Sequence, residues 1–363
     1  MHAEFWRNKR VLITGHTGFK GSWLSLWLDS VGAHVTGYAL KPPSEPSLYE
    51  LAHVDETLRS TTGDIRDLGH LQRVVETAAP EVIFHMAAQS VVLSSYEAPV
   101  DTYSTNVMGT VHVLEALRRA GGRSTVVNVT TDKCYENKGW VWGYREDDRL
   151  GGHDPYSNSK ACAELVAQAY RDSFFPPADL ARHGVGLASA RAGNVIGGGD
   201  WTPHQLIPAA VAALLRGESV VLRHPEATRP WQHVLDCLDG YITLAQSLAE
   251  DPRGFSGEWN FGPADGDSRP VSYIVETLAK HWGVTVPWIH DTQVHPPEAR
   301  ELRLETRKAA SVLGWRACWP IDTALDMVAR WYDGHHTGSP ARALCLEQIQ
   351  RYMDCRVSSS LSA

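Results

Sequence analysis

The sequence predicts an α/β fold, a doubly wound parallel sheet carrying a smaller α/β lobe. Three observations predict it. The chain opens strand, glycine turn, helix, strand between Arg10 and Tyr38. Apolar strand-like runs then alternate with helical stretches as far as Arg191. After about Ala192 the texture changes, and Gly193 to Pro208 is rich in Gly, Pro, Asn and His.

The elements follow in order. Arg10 to Thr14 is a short buried-strand pattern. Gly15 to Gly21 is a glycine turn. Ser22 to Val31 reads as a helix, apolar at Trp23, Leu24, Leu26, Trp27 and Leu28 and stopped by Gly32. Ala33 to Tyr38 is the second strand. Further strands are expected at Glu81 to His85, Thr125 to Val129 and Gly186 to Arg191. Helices are expected near Val107 to Ala120 and from about Tyr156 to Phe174. Helical and strand pieces then mix irregularly to about Gly334, as a lobe folded over the sheet's C-terminal edge. Residues 1–192 are read as the first unit and 193–335 as this lobe, with returns of the chain allowed. Residues 336–363 are read as a C-terminal helix and a disordered, serine-rich tail from Val357.

Bulk composition narrows the function. With 363 residues, 43% of them hydrophobic, the chain can bury a sizeable core. No apolar run approaches the roughly 20 residues of a membrane span. The start, Met1-His2-Ala3-Glu4-Phe5-Trp6-Arg7, has no apolar signal core, so a cytoplasmic protein is expected. The six cysteines lack CxxC spacing and are expected to be reduced, mostly buried thiols with no metal role. A net charge of −8 argues against nucleic acid as a partner. Most of the 13 tryptophans belong to the core, though flat indoles such as Trp142 and Trp201 also suit stacking on sugars or bases.

The first chemical signal is Gly15-His-Thr-Gly18-Phe-Lys-Gly21. Glycines between a first strand and a first helix let backbone N–H groups and a helix N-terminus meet a pyrophosphate. Gly63-Asp64-Ile65-Arg66-Asp67 follows a later strand-like segment, where Asp64 suits either an adenine amino group or a helix cap. An acid about 20 residues beyond the turn would hold a ribose 2′-hydroxyl. Here Gly37-Tyr38-Ala39-Leu40-Lys41 carries none, so the choice between NAD and NADP stays open on chemistry.

The second signal is Tyr156 and Lys160, four apart behind Pro155, a residue suited to opening a helix. An ammonium near a phenol favours phenolate. That is the base an alcohol dehydrogenation needs while hydride leaves the same carbon. The third signal is Thr130-Thr131-Asp132-Lys133-Cys134-Tyr135, where an acid and an amine stand beside each other off a strand end. On residue types alone it is a solvated turn or an acid/base pair.

These motifs resemble those of the extended short-chain dehydrogenase/reductases over roughly residues 8 to 335. His85-Met-Ala-Ala-Gln-Ser90, Asn106-Val-Met-Gly-Thr and Arg191-Ala-Gly-Asn194-Val-Ile-Gly add to the match. Within that superfamily, Thr131-Asp132-Lys133 falls where sugar-nucleotide 4,6-dehydratases carry Thr-Asp-Glu. The Lys, together with the Trp140-Val-Trp142-Gly-Tyr144-Arg145-Glu146 loop, looks like the CDP-glucose 4,6-dehydratases.

The resemblance implies a Rossmann fold, NAD used and regenerated within each turnover, a CDP-glucose substrate and a homodimer built through helices. It assigns cofactor contacts to the glycine turn at Gly15, Thr17, Gly18, Phe19 and Gly21, and to Asp64 and Ile65. It adds Ala87, Ala88, Gln89, Asn106, Thr130, Tyr156 and Lys160. It assigns substrate contacts to Ser90, Asn194, Arg229, Asn260 and Arg300, the two arginines at places resembling phosphate contacts. Tyr156 would take the proton of the hydroxyl on carbon 4, Lys160 would hold the nicotinamide ribose, and Thr131 would bond the carbon 4 oxygen. Asp132, if protonated in a dry site, would expel the carbon 6 hydroxyl. Lys133 would be the base at carbon 5, an electrostatic support for the enolate, or structural. An epimerase or dehydrogenase of the same superfamily is the alternative. It has no use for the acid at 132. A non-catalytic dinucleotide sensor is disfavoured by the presence of Tyr156 and Lys160.

Overall fold

A computed structural model of the chain describes residues 3–293 and 301–360. Its centre is a seven-stranded parallel sheet. The first unit runs β1 (Arg10–Thr14), α1 (Phe19–Ser30), β2 (His34–Ala39), β3 (Arg59–Thr62), α2 (Leu68–Ala78) and β4 (Val82–His85). It continues with α3 (Gly109–Ala120), β5 (Ser124–Val129), α4 (Pro155–Ser173) and β6 (Val185–Ala192). The chain then makes β7 (Asn194–Ile196), β8 (Val220–Leu222), β9 (Thr228–His233), α5 (Val234–Glu250) and β10 (Gly257–Phe261). It closes with β11 (Ser268–Pro270), β12 (Trp288–His290), α6 (Ile321–His336) and α7 (Ala341–Ser360).

The large sheet has the order β3-β2-β1-β4-β5-β6-β10. Each pairing in it is parallel. Strand order reverses between β1 and β4, so the sheet leaves a crevice at the C-terminal ends of those two strands. Side chains alternate across the sheet as the pleat requires. Val11 and Ile13 enter the core on one face with Trp23, Trp27 and Trp331. Leu12 enters the other with Val75, Val113 and Leu117. Strands β4, β5 and β6 are buried along their whole length, which suits their mainly apolar and small residues.

Most expected elements are present within a residue or two. Helix α1 starts at Phe19, three residues before the expected Ser22. Gly18 takes the extended N-cap conformation, and Gly21 sits inside the first turn. Packing overrides propensity there: a Cβ on Gly21 would lie 2.2 Å from the Gly15 carbonyl oxygen. A π-helical stretch, Ser104–Met108, leads into α3.

The expected break at 192/193 is not a clean one. The chain leaves the sheet at Gly193, whose Cβ position lies 2.7 Å from the Pro230 carbonyl oxygen. It builds β7 and β9, which pair with each other, β9 pairing also with β11, and β8, which pairs with β12. It then returns: α5 packs on β5 and β6, and β10 pairs with β6.

Two expectations are corrected. Cys318 and Cys355, expected as thiols, form a disulfide. Their separation of 37 residues hid the pairing, and α7 brings them together by packing beside the turn before α6. Cys134, Cys162, Cys237 and Cys345 are free. The tail from Val357, expected to be disordered, continues α7 to Ser360. Residues 361–363 lie outside the described residues. Among the described residues no helix is long and apolar enough to cross a membrane.

Candidate active site

A cleft of about 1680 Å³ runs between the sheet's C-terminal edge and the smaller lobe. One drug-sized ligand needs roughly 300–1,000 Å³, so this volume suits two ligands side by side.

The glycine turn forms one wall. Gly15 has φ +80°, and a Cβ there would meet the Ala87 nitrogen at 2.8 Å. Strand β1 reaches β4 through Thr14, whose hydroxyl accepts from the Met86 and Ala87 amides at 3.1 Å. The same hydroxyl bonds His85 Nδ1 at 2.8 Å. With two donors already on its oxygen, Thr14 donates to His85. The imidazole Nε2 then donates to Thr110 at 3.2 Å. Burial and the neighbouring Lys160 bring His85 down to about 3, so it is neutral and structural. Thr17 donates to the Leu40 carbonyl at 2.9 Å, closing the turn onto the end of β2. No side chain caps the α1 N-terminus at Gly18. Its first N–H groups therefore face the cleft, lined here by Gly15, Thr17, Gly18, Phe19 and Gly21. A cradle that any Cβ would fill, backed by an uncapped helix end, fits a dinucleotide pyrophosphate.

The adenosine side is formed by Asp64, Ile65, Ala87, Ala88 and Gln89, all in the lining. The Asp64 carboxylate is already engaged by Arg66, with Nη2 at 2.7 Å and Nε at 3.0 Å. That bond holds its carboxyl below the usual range. No acid stands at the end of β2, and Lys41 lines the cleft there. Asn106, expected against the cofactor, is buried behind the loop. Its amide accepts from the Gln89 N–H at 2.9 Å and donates to Gln89 O at 3.0 Å and Ser159 Oγ at 2.8 Å. It shapes the loop that carries Ala87 to Gln89 and does not line the cleft.

The reactive groups come from the end of β5 and from α4. Asp154 caps α4, accepting from the Ser157 N–H at 2.9 Å and its hydroxyl at 2.6 Å. Pro155 occupies the first helical position, as expected. Tyr156 and Lys160 share one face and are 8% and 7% exposed. The Thr131 hydroxyl stands near the Tyr156 phenol and favours its ionised form. Thr131 Oγ1 lies 3.0 Å from Asp132 Oδ1. Lys133 Nζ lies 3.8 Å from the same carboxylate oxygen. Asp132 is fully buried just behind the lining residues Thr131 and Lys133 and does not itself line the cleft, and its Oδ2 has no hydrogen-bond partner. Three of the five expected catalytic side chains, Thr131, Asp132 and Lys133, thus form one connected chain, with Tyr156 beside Thr131. Lys160 stands beside it and donates from Nζ to the Val129 carbonyl at 3.1 Å.

The electrostatics differ from the expected phenol lowered by an adjacent ammonium. Burial pushes the Tyr156 phenol well above its ordinary value, the Thr131 hydroxyl pulls it back, and Asp132 and Asp154 push it further. Burial, then Lys20, brings Lys160 down to about 8, against a smaller supporting effect of Glu164. Lys20, half-buried in the first turn of α1, lines the cleft and was not singled out from the sequence. Its signal was a cation between two glycines of the turn.

On the substrate side, Ser90 is exposed at the rim and Asn194 lines the wall. The Asn194 Oδ1 atom is buried and has no hydrogen-bond partner. Arg229 lines the cleft on β9 and is 7% exposed, with Nη1 on the Thr228 carbonyl at 3.0 Å. Asn260 is a correction. It is fully buried outside the lining, its amide donating to Tyr144 O at 2.8 Å and accepting from the Tyr135 hydroxyl at 2.7 Å. Arg300 lies outside the described residues. Trp142 is 68% exposed and outside the lining, against a stacking role in the cleft. Trp201 packs edge-on against Trp331 and Tyr332.

The comparisons with known proteins agree with this geometry. Residues 12–328 match the family model described as GDP-mannose 4,6 dehydratase. A CDP-glucose 4,6-dehydratase of Salmonella typhimurium is 50% identical over 350 residues, covering 96% of this chain and 98% of the relative. MoeE5 in complex with UDP-glucuronic acid and NAD superposes with a TM-score of 0.75 at 26% identity, covering 90% of this chain and 99% of that one. A dTDP-glucose 4,6-dehydratase of Bacillus anthracis in complex with NAD has a TM-score of 0.75 over 91% of this chain and 98% of that one. At 23% identity that likeness speaks to the fold alone. The chain belongs to the sugar-nucleotide 4,6-dehydratases, the family of the GDP-mannose 4,6 dehydratase model, on the extended short-chain dehydrogenase/reductase fold.

Proposed function

We propose that the protein is a lyase of deoxysugar biosynthesis that converts CDP-D-glucose to CDP-4-keto-6-deoxy-D-glucose, with NAD as its resident cofactor. The observation that carries the reaction type is the contact chain Thr131, Asp132, Lys133, set beside Tyr156 at the end of β5. A dehydrogenase or epimerase needs Tyr156 and Lys160, but it has no use for an acid and an amine beside them. The CDP-glucose assignment rests on the 50% identity to the Salmonella typhimurium enzyme along nearly the full length of both chains.

Bound NAD supplies the acceptor and later the donor of one hydride. The uncapped α1 N-terminus and Gly15, Gly18 and Gly21 hold its pyrophosphate, and Lys160 holds its ribose. Tyr156 takes the proton of the hydroxyl on carbon 4 as the carbon 4 hydrogen leaves, and Thr131 bonds the forming carbonyl oxygen. The ketone acidifies the proton on carbon 5, which Lys133 removes or whose enolate Lys133 stabilises as a cation. Asp132 delivers a proton to the carbon 6 hydroxyl, which departs as water. A proton then returns to carbon 5. Arg229 and Asn194 hold the diphosphate and sugar of the substrate.

Two further points belong to this reading. The chain works in the cytoplasm, where nucleotide sugars are made, and it forms a homodimer. Neighbouring helices Val92–Glu97, Pro99–Tyr103 and α4 leave Tyr96, Val100, Tyr103 and Leu165 exposed, which suits a helical interface. Light scattering should give twice the chain mass, and Val100→Glu should give a monomer.

The deciding experiment supplies NAD and CDP-, dTDP-, UDP- and GDP-hexoses in parallel and follows the 4-keto product. CDP-glucose should react best, and deuterium placed on carbon 4 should appear on carbon 6. Reaction with another nucleotide alone, or with none, overturns the assignment.

A further inference from the structure

One buried ion pair holds both ends of the segment Thr130 to Tyr135. Glu164 lies on α4, one turn beyond Lys160, and Arg191 lies near the end of β6. Each is 2% exposed, and Glu164 Oε2 meets Arg191 Nη2 at 3.0 Å. The Thr130 hydroxyl donates to the second oxygen of Glu164. Arg191 Nη1 donates to the Tyr135 hydroxyl at 2.9 Å and to the Glu146 carbonyl at 2.8 Å. The guanidinium also covers the Tyr135 ring, 5.0 Å from its centroid. Neither charged residue lines the cleft, so neither touches substrate.

Between these anchors the segment has little rigidity of its own. Its internal backbone-donated bonds, Cys134 N–H to Thr131 O and Lys133 N–H to Thr131 Oγ1, are both 3.3 Å long, and the Thr131 hydroxyl donates to Asp132 Oδ1 at 3.0 Å. One further tie is the Gly151 N–H on Cys134 O at 2.8 Å. Tyr156 and Lys160, by contrast, are fixed by a capped helix of 19 residues.

We propose that the Glu164–Arg191 ion pair is a positioning device for the water-elimination half of the reaction. It sets Asp132 and Lys133 against the substrate by clamping Thr130 and Tyr135. This rests on the dehydratase reading for what the clamped residues do; the clamp itself does not depend on it. A misplacement of about 1 Å at reacting groups can cost about a hundredfold in rate. The pair is thus expected to matter for elimination and far less for the hydride step, which runs from α4.

The test is Glu164→Gln in the full-length protein with NAD. Its amide can keep its oxygen on Arg191 and turn its N–H toward the Thr130 hydroxyl, so what is lost is the charge that pairs with Arg191 and accepts from Thr130. Stopped-flow absorbance of the reduced nicotinamide reports the hydride step, and product formation reports elimination. Deuterium exchange of the backbone amides of residues 130–135 reports the clamp without any turnover. The hydride step should stay within about threefold, product formation should fall about a hundredfold, and reduced cofactor should accumulate. Amide exchange in the segment should accelerate at least about tenfold, the mark of lost local protection. Equal loss in both steps, or unaltered exchange in a folded variant, overturns the proposal. If Glu164→Gln fails to fold, Tyr135→Phe leaves the charges paired and removes the hydroxyl's bonds to Arg191 and to Asn260. A roughly tenfold loss confined to elimination is then expected, and equal loss in both steps overturns it. If the wild-type protein makes no 4-keto product from any hexose, the reaction assignment falls. Faster exchange in Glu164→Gln still supports the clamp, and unchanged exchange sinks it.

Discussion

Asp132→Asn isolates the chemistry that separates a dehydratase from its relatives. Asparagine matches aspartate in shape. Its Oδ1 can still accept from Thr131, now at 3.0 Å from the carboxylate. What disappears is the proton that Asp132 would deliver from the partnerless, fully buried Oδ2. General acid–base catalysis contributes about 10²–10⁴ in rate, or about 3–5 kcal/mol of barrier. Product formation should therefore fall by that factor. Transfer of hydride from carbon 4 should persist within a few-fold, because Tyr156 and Lys160 are untouched. The fold should tolerate the change. Lys133, the ion-pair partner, has a 30% exposed side chain and can be solvated once the charge is gone. A melting temperature within about 3 °C of wild type is expected, the shift that roughly 1 kcal/mol gives in a chain of this size. The assay pairs single-turnover absorbance of the reduced nicotinamide with a direct measure of the 4-keto-6-deoxy product. Product made at more than about a tenth of the wild-type rate would refute the assignment of Asp132 as the acid. So would a hydride step that falls in step with elimination.

Lys133→Met is read from the same partial reactions. Exchange of the carbon 5 hydrogen with solvent should fall about a hundredfold or more if Lys133 is the base, and normal exchange with a normal hydride step would remove it from that role. Gly21→Ala puts a Cβ 2.2 Å from Gly15 O and 2.7 Å from His16 Cα, both backbone atoms unable to swing aside. Strain of about 1–3 kcal/mol should weaken NAD binding about 10- to 100-fold by calorimetry, and affinity within about threefold of wild type would count against the turn as the pyrophosphate site. Lys160, at about 8, should lose its ammonium as pH rises through that value. NAD affinity should then weaken above pH 8, by at most about tenfold per unit, while Lys160→Met shows no such limb. The sign for stability is opposite. The depressed lysine carries a penalty when charged, the unfolded chain binds more protons between about 8 and 10.4, and stability from this group rises with pH across that window.

Local chemistry was the legible part of this chain. The glycine turn, the Tyr156–Lys160 pair and the Thr131-Asp132-Lys133 run carry their reactivity in residue type and short spacing, and the fold brings the last two into contact. Five strands of the large sheet, β1, β2, β4, β5 and β6, were legible from their mainly apolar runs, whereas the polar, exposed β3 and the returning β10 were not. Nor was long-range partnership. Asn106 and Asn260 look like ligand contacts, and only their neighbours show that their amides hold loops and strands. The pairing of Cys318 with Cys355 depends on how α7 docks, which no spacing encodes. Glu164 stands four residues beyond Lys160, so its helix face was readable, but its partner Arg191 lies 27 residues further along. The rise of the Tyr156 phenol was hidden for the same reason. It comes from burial and from Asp132 and Asp154, neither adjacent to it on the helix face.

The return of the chain to supply β10 bears on how this protein is made. Strand β6 is buried on both faces and pairs with β5 on one side, yet its other edge is satisfied only by Gly257–Phe261. A nascent chain that has emerged only as far as Ala192 would therefore present a long, flat, apolar edge, the kind of template on which strands of other molecules add. Cutting the gene at that point to obtain a minimal dinucleotide-binding module should yield aggregates, and a useful truncation has to extend past Phe261. During synthesis, the ribosome must deliver some 65 further residues before that edge is covered, a delay of several seconds at about 5–20 residues per second. Holdase chaperones that shield strand edges should accordingly matter more to the yield of this protein than those that act on the finished chain.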